Sequence, residues 1–270
     1  MNYRHAFHAG NFADCMKHAV LVWLLRALAR KPAPFMVLDT HAGAGRYDLT
    51  SGPAERTGEW RAGIGRLLED PAPALQDYLN LVIARGLYPG SPVLARALLR
   101  EQDSLVCCEL HPEEHAALRA LFRGDRQVAV HRRDGWEALG ALLPPAQKRG
   151  LVLIDPPYEI SDEFKNVLKG LSTVNARFPG AIAAAWYPIK HRAPVRTFHV
   201  ALRASGLRDV VAAELWLRPP LDPARLNGCG LVILNPPFRV DVDIPQILAS
   251  LASRLSDAEA DFALERLADE

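Results

Sequence analysis

The residues best equipped for chemistry stand at 155–158. An unbroken apolar run, Leu151-Val152-Leu153-Ile154, delivers Asp155-Pro156-Pro157-Tyr158. An amino group on a base such as adenine is a poor nucleophile, because its lone pair is delocalised into the ring. Asp155 can accept one amino hydrogen and the Pro156 carbonyl the other. Both bonds favour a pyramidal nitrogen whose lone pair points at a methyl donor. Each proline keeps the residue before it extended, so the acceptors are fixed before substrate arrives, as preorganised catalysis requires. Tyr158 offers a face on which an extruded base can stack, worth about 1–3 kcal/mol. Asp155 need not deprotonate a neutral amine, since the methylated aminium is itself strongly acidic. The plain alternative is a rigid turn after a strand. A second run of the same grammar, Leu231 to Leu234 followed by Asn235-Pro236-Pro237-Phe238, competes for the role. It ends the last of the expected strands, which reads as antiparallel, so its loop should face away from the ligand edge and Asn235 should be structural.

A second group of residues could hold a nucleotide. Val37-Leu38-Asp39 runs into Gly43-Ala44-Gly45, and glycines there let backbone approach a ligand closely. The spacing Asp-x-x-x-Gly-x-Gly lacks the third glycine of the dinucleotide fingerprint and resembles the first motif of S-adenosylmethionine-dependent methyltransferases. His41, inside this loop, is a candidate contact. Glu109, ending the second strand, could accept from both ribose hydroxyls of an adenosine cofactor, or could cap the next helix. Asp134-Gly135, after the third strand, could bind an adenine amino group or form a simple turn. Taken together on one sheet edge they are far more telling than singly, because open α/β sheets bind ligands there. Lys17 and His18 fall on the polar side of the first helix and read as a solvated face. His8, Asp14 and His18 match no zinc spacing, so no metal is expected.

The elements that must position these groups alternate. A helix is expected over Asn11–Arg30, capped by Asn11 and stopped by Pro32. Seven strands follow, at 35–39, 104–109, 127–131, 151–155, 181–186, 209–217 and 231–235, with helical patterns at 113–123, 136–143, 161–176 and 192–205 between most of them. Such alternation argues for a parallel sheet covered on both faces. The link at 218–228 holds three prolines and suits an antiparallel return. Between the first two strands, helical patterns at 55–68 and 74–85 form an insert over about residues 50–95.

Composition bounds the rest. The 270 residues suit one large domain, here taken as 1–270. Lys and Arg number 32 against 31 Asp and Glu, a net charge of +1, which excludes a polybasic binder but leaves room for a local basic face. Lys190, Arg192 and Arg196 are one candidate patch. No apolar run is long enough for a membrane span. The four cysteines show no Cys-x-x-Cys spacing and fit reduced thiols in a cytoplasmic protein.

Several blocks together resemble the RlmJ family of 23S ribosomal RNA (adenine-N6)-methyltransferases. They are the opening Tyr3-Arg4-His5-x-Phe7-His8-Ala9-Gly10-Asn11, the loop at 38–47, Ala-Glu-Arg-Thr-Gly-Glu at 54–59, and Tyr-Pro-Gly-Ser-Pro at 88–92. To these are added Arg-Glu-Gln-Asp-Ser-Leu at 100–105, Ile-Asp-Pro-Pro-Tyr-Glu at 154–159 and Trp-Tyr-Pro at 186–188. The similarity covers about residues 2–240; Phe238 stands where the family carries Trp. The resemblance implies a class I, Rossmann-like fold of seven strands, the last antiparallel, with a small helical insert after the first strand. It implies S-adenosylmethionine as donor, at a cofactor site of His18, His41, Gly43, Ser91, Glu109, Asp134 and Gly135, with Lys17 nearby and Asp155 at the methyl. Asp155, Pro156 and Tyr158 would be catalytic, Tyr3 and Tyr158 would meet the RNA, and 23S ribosomal RNA would be the partner of a cytoplasmic monomer. Three rival readings remain: a DNA adenine-N6 methyltransferase, a non-catalytic RNA-binding assembly factor, and a nicotinamide oxidoreductase. A short insert in place of a target-recognition domain argues against the first, the retained acids against the second, and the missing glycine against the third.

Overall fold

The computed structural model describes residues 5–50, 52–84, 86–256 and 260–269. Its first long element is α1 (Phe12–Ala29), whose first amides at Ala13 and Asp14 are capped by the Asn11 side chain. Apolar residues surround this helix, and it is accordingly buried almost throughout. The expectation of a solvated face at Lys17 and His18 is therefore wrong: they are 5% and 1% exposed. The polar side of α1 is turned inward, against the loops that end the strands.

Ten strands follow in chain order: β1 (Met36–Asp39), β2 (Arg46–Tyr47), β3 (Tyr88–Pro89), β4 (Ser104–Cys108), β5 (Val128–His131), β6 (Gly150–Ile154), β7 (Ile182–Ile189), β8 (Val210–Trp216), β9 (Gly228–Leu234) and β10 (Asp261–Ala268). The two-residue β2 and β3 pair with each other, and the rest form one sheet in the order β10-β8-β9-β7-β6-β1-β4-β5. From β5 to β7 the pairing is parallel; β9 is antiparallel to β7 and β8, and β10 to β8. The seven expected strands are all present, arranged as in class I methyltransferases. The eighth, β10, was not foreseen. It pairs along β8 and closes an edge otherwise open to association.

Four helices cover one face with α1 among them: α4 (Gln76–Ile83), α5 (Ser91–Leu98) and α10 (Val240–Leu255) pack around it. The helices α6 (Pro112–Leu121), α7 (Gly135–Leu142), α8 (Glu163–Arg177) and α9 (Arg192–Ala204) complete the molecule, the last three stacked on the other face. The pattern at 55–68 is not one helix. Gly58, at φ 64°, and Gly63 break it into α2 (Gly52–Thr57), a short 3-10 turn at Glu59–Arg61, and α3 (Ile64–Glu69). A Cβ on Gly63 would lie 2.0 Å from the Gly10 carbonyl, which the Ile64 amide bonds at 2.8 Å. The insert is thereby pinned to the segment leading into α1. Among the described residues no helix is long and apolar enough to cross a membrane, and all four cysteines are buried free thiols.

Candidate active site

Because β1, β4, β5 and β6 are parallel, Asp39, Glu109, Asp134 and Asp155 all emerge at one sheet edge. The chain order reverses beside β1, which opens the crevice where such sheets hold ligands. A cavity of about 280 Å³ occupies it. All nine residues that the sequence assigns to a cofactor line this one cavity.

Its walls are built for close approach. Gly43 has φ 62° and donates its amide to Glu109 Oε2 at 2.8 Å; a Cβ there would lie 2.4 Å from the Tyr47 hydroxyl. A Cβ on Gly135 would lie 2.4 Å from the Thr40 carbonyl and 2.7 Å from the His41 ring. Glu109 also accepts from the His111 amide at 2.7 Å through Oε1. Asp134 Oδ1 caps α7, accepting from Trp136 and Glu137 at 2.8 and 3.1 Å. Both acids thus do the helix-end or turn work that the plain reading of each allowed, while spare lone pairs remain. Asp39 lies beneath the loop, accepts from Ser91 Oγ at 2.6 Å, and is pushed up to about 7 by burial.

Two histidines of the cavity, His18 and His41, are held neutral. Burial lowers His18 to about 3 and His41 to about 4. Thr40 Oγ1 donates to the Leu153 carbonyl at 2.9 Å, so the 2.8 Å contact with His41 Nδ1 is donated by the imidazole. That assigns the tautomer and leaves His41 Nε2 as an acceptor. His18 Nδ1 meets the Tyr88 hydroxyl at 3.0 Å, which meets Tyr78 at 3.0 Å. Two buried polar atoms on residues of this cavity, Glu114 Oε2 and His111 Nδ1, make no hydrogen bond with a described residue. A ligand rich in hydroxyl and amino groups fits this donor and acceptor set, and S-adenosylmethionine is such a ligand. Among the described residues no group of three metal-ligating side chains converges.

A second cavity, about 670 Å³, lies beyond Asp155 and is lined by Pro156, Pro157, Tyr158 and Trp186. The two cavities share His5, Lys17, Asp155 and Pro157. At their junction Lys17 Nζ bonds Asp155 Oδ2 at 2.6 Å and Asp14 Oδ1 at 2.9 Å, and His5 Nε2 meets Asp14 Oδ2 at 2.8 Å. Burial opposes the charges of Asp14 and Lys17. The neighbouring charges outweigh it, holding Asp14 well below the carboxylate range and Lys17 well above the usual ammonium. Lys17 fixes one carboxylate oxygen of Asp155, Oδ2, and does not engage Oδ1. Tyr158 adopts φ 52°, donates its hydroxyl to the Trp186 carbonyl at 3.1 Å, and meets Phe164 and Trp186 edge-on.

Asn235 is at the other end of the sheet. Its side-chain amide donates to the carbonyls of Pro179 and Ala181 at 2.9 and 2.8 Å, just before β7 begins. It staples the start of one strand to the end of its antiparallel neighbour, the structural role expected of it. Tyr3 lies outside the described residues. Sequence reasoning gave no role to His5 or Asp14 in this centre. The signal for Asp14 was an acid at i with Lys17 and His18 at i+3 and i+4, on a helix whose one other charged residue is Arg26 in its last turn.

Comparison with known proteins gives the lineage. Residues 32–267 match the family described as Ribosomal RNA large subunit methyltransferase D, RlmJ. Ribosomal RNA large subunit methyltransferase J of Escherichia coli (strain K12) is 43% identical over 266 residues, covering 96% of this chain and 95% of that protein. Its namesake in Haemophilus influenzae is 39% identical over 264 residues, 94% of each. A crystal structure of a Legionella pneumophila protein, 35% identical, superposes with a TM-score of 0.88 over 96% of this chain and 98% of its own. The chain belongs to the RlmJ family of ribosomal RNA large subunit methyltransferases.

Proposed function

We propose that this protein transfers a methyl group from S-adenosylmethionine to the exocyclic N6 of a specific adenine in 23S ribosomal RNA. The observation that carries the reading is the meeting of two cavities at Asp155, with acceptors suited to an adenosine on one side and an aromatic, proline-walled cavity on the other. S-adenosylmethionine, when bound, supplies a methyl carbon made electrophilic by its sulfonium. Glu109 takes the ribose hydroxyls, Asp134 and Gly135 the adenine of the cofactor, and Lys17, His18, His41, Gly43 and Ser91 line the remainder. The target adenine, taken out of its stack, lies against Tyr158. Asp155 Oδ1 and the Pro156 carbonyl accept its two amino hydrogens, which turns the nitrogen lone pair toward the methyl. Formation of the N–C bond would break the methyl–sulfur bond, leaving its electron pair on the sulfur of S-adenosylhomocysteine, and Asp155 would take the aminium proton. Lys17 keeps the carboxylate in place throughout, and Tyr3 joins Tyr158 on the RNA side. The protein acts as a cytoplasmic monomer whose single domain, 1–270, carries the insert at about 50–95.

The test is methyl transfer from labelled S-adenosylmethionine to unmodified 23S ribosomal RNA, followed by nucleoside analysis, with duplex DNA in parallel. Labelled N6-methyladenosine at one RNA position is expected. Label in DNA alone, or bound cofactor with no transfer to either, would overturn the reading.

A further inference from the structure

The second cavity is lined asymmetrically by charge. Its acids, Asp14, Glu59 and Asp155, stand on the side of α1 and the insert or on the β6 loop, and each is engaged. Asp14 and Asp155 hold Lys17, and Glu59 holds His8 and Asn11 at 3.0 Å. The other rim carries Lys190, Arg218 and Arg225 and no acid. Lys190 directly follows β7, and the two arginines bracket the loop from β8 to β9. Since β8 runs with β7 and β9 against both, this loop emerges at the same edge as Asp155.

The rim is rigid at its base. Asn227, fully buried, donates its side-chain amide to the carbonyls of Lys190 and Asp222, each at 2.7 Å, and its backbone amide to the Ile189 carbonyl at 3.1 Å. Arg218 Nη1 donates to the Leu226 carbonyl at 3.2 Å, which leaves its other donors free to turn outward. The loop's own acid, Asp222, accepts from the Ala224 amide at 2.9 Å and does not line the cavity. Lys190 and Arg225 are exposed and form no ion pair with a described residue. Arg192, which the sequence grouped with Lys190, is instead stacked on Trp216 at 4.6 Å.

We infer that Lys190, Arg218 and Arg225 clamp the phosphates on either side of the extruded adenine. An adenine lying against Tyr158 is part of a strand whose phosphates must leave the cavity across its rim. The rim opposite the engaged acids is the one that offers cations without counterions among the described residues, mounted on backbone that Asn227 holds still. Such contacts fix register and orientation and carry no sequence information. The inference rests on the function proposed above.

Lys190→Gln and Arg225→Gln alter exposed side chains and should fold. Each is measured on unmodified 23S ribosomal RNA for kcat and KM across a salt series, with S-adenosylmethionine affinity by calorimetry. Each variant is expected to raise KM about fivefold, with the loss in KM rather than kcat, and to lower the salt slope of log kcat/KM by about 0.7–0.9. Cofactor affinity should be unchanged, and Lys190→Arg should restore the slope. Wild-type transfer to RNA with KM and slope unmoved in both glutamine variants would overturn the clamp and leave the function standing. No transfer by the wild type to RNA, with transfer to DNA, would overturn both.

Discussion

At the scale of single residues the centre depends on one ammonium between two carboxylates. Asp155 makes its salt bridge with Lys17 through Oδ2, so Oδ1, the oxygen proposed to meet the substrate, is positioned by charge without being consumed. Asp155→Ala is expected to lower single-turnover methyl transfer about 10³-fold, the range of a positioned proton acceptor, while calorimetric affinity for S-adenosylmethionine changes little. Asp155→Asn keeps one acceptor oxygen and should fall between. Equal rates for wild type and Asp155→Ala would remove Asp155 from the chemistry. Lys17→Met leaves Asp14 and Asp155 facing one another in a buried setting, which should cost about 3 kcal/mol in urea unfolding. Asp155 was legible in the sequence because it closes an apolar strand, whereas Asp14, on α1, was not. Lys17 was misread as solvated because periodicity shows that a helix has a polar side, and not what that side meets.

At the scale of elements the two Pro-Pro loops separate function from support. Their residues are nearly alike, and strand direction alone distinguishes them, since β6 runs toward the cofactor edge and β9 away. Asn235 sits at φ 51° and donates to two carbonyls. Asn235→Ala loses both bonds and must hold a left-handed backbone, so unfolding stability should fall by about 2–3 kcal/mol. Asn235→Gly keeps the backbone easy and should fall about 1 kcal/mol less. In both, kcat per folded molecule should match wild type; a folded, cofactor-bound but inactive Asn235→Ala would reverse the assignment of the loops. The strands of the parallel half were legible as continuous apolar runs. The tail was not: Leu264-Glu265-Arg266-Leu267-Ala268 has helix-forming residues, yet β8 offers an open edge and pairing with it overrides propensity. Pro245 inside α10 is likewise a local signal against a helix that packing on α1 and β8 outweighs.

At the scale of the whole molecule, a net charge of +1 conceals how unevenly charge is distributed. Neutral histidines and a raised carboxylate lie beneath the cofactor cavity, and they tie stability to pH with opposite signs. His41 falls from 6.5 to about 4 on folding, so between those values the unfolded chain binds the extra proton. Stability from this group is complete above pH 6.5 and is lost as pH falls toward 4, by about 1.4 kcal/mol per unit. His18, lowered to about 3, acts in the same direction. Asp39 is raised from 3.8 to about 7, so there the native state binds the extra proton and stability is lost as pH rises through that window. Differences between variants isolate these groups from the other titrations. Asp39→Asn should therefore gain on wild type, in urea unfolding free energy, by about 1 kcal/mol per unit from pH 4 to 7. His41→Gln should gain on wild type in the reverse direction, as pH falls from 6.5 to 4. The opposition follows from the fold: burying a base and an acid beside one cavity leaves both neutral, and each is costly to ionise at the opposite end of the pH range. A flat difference for Asp39→Asn would mean that Asp39 is ionised in the native protein, with Ser91 and the His41 amide sufficient to hold its charge.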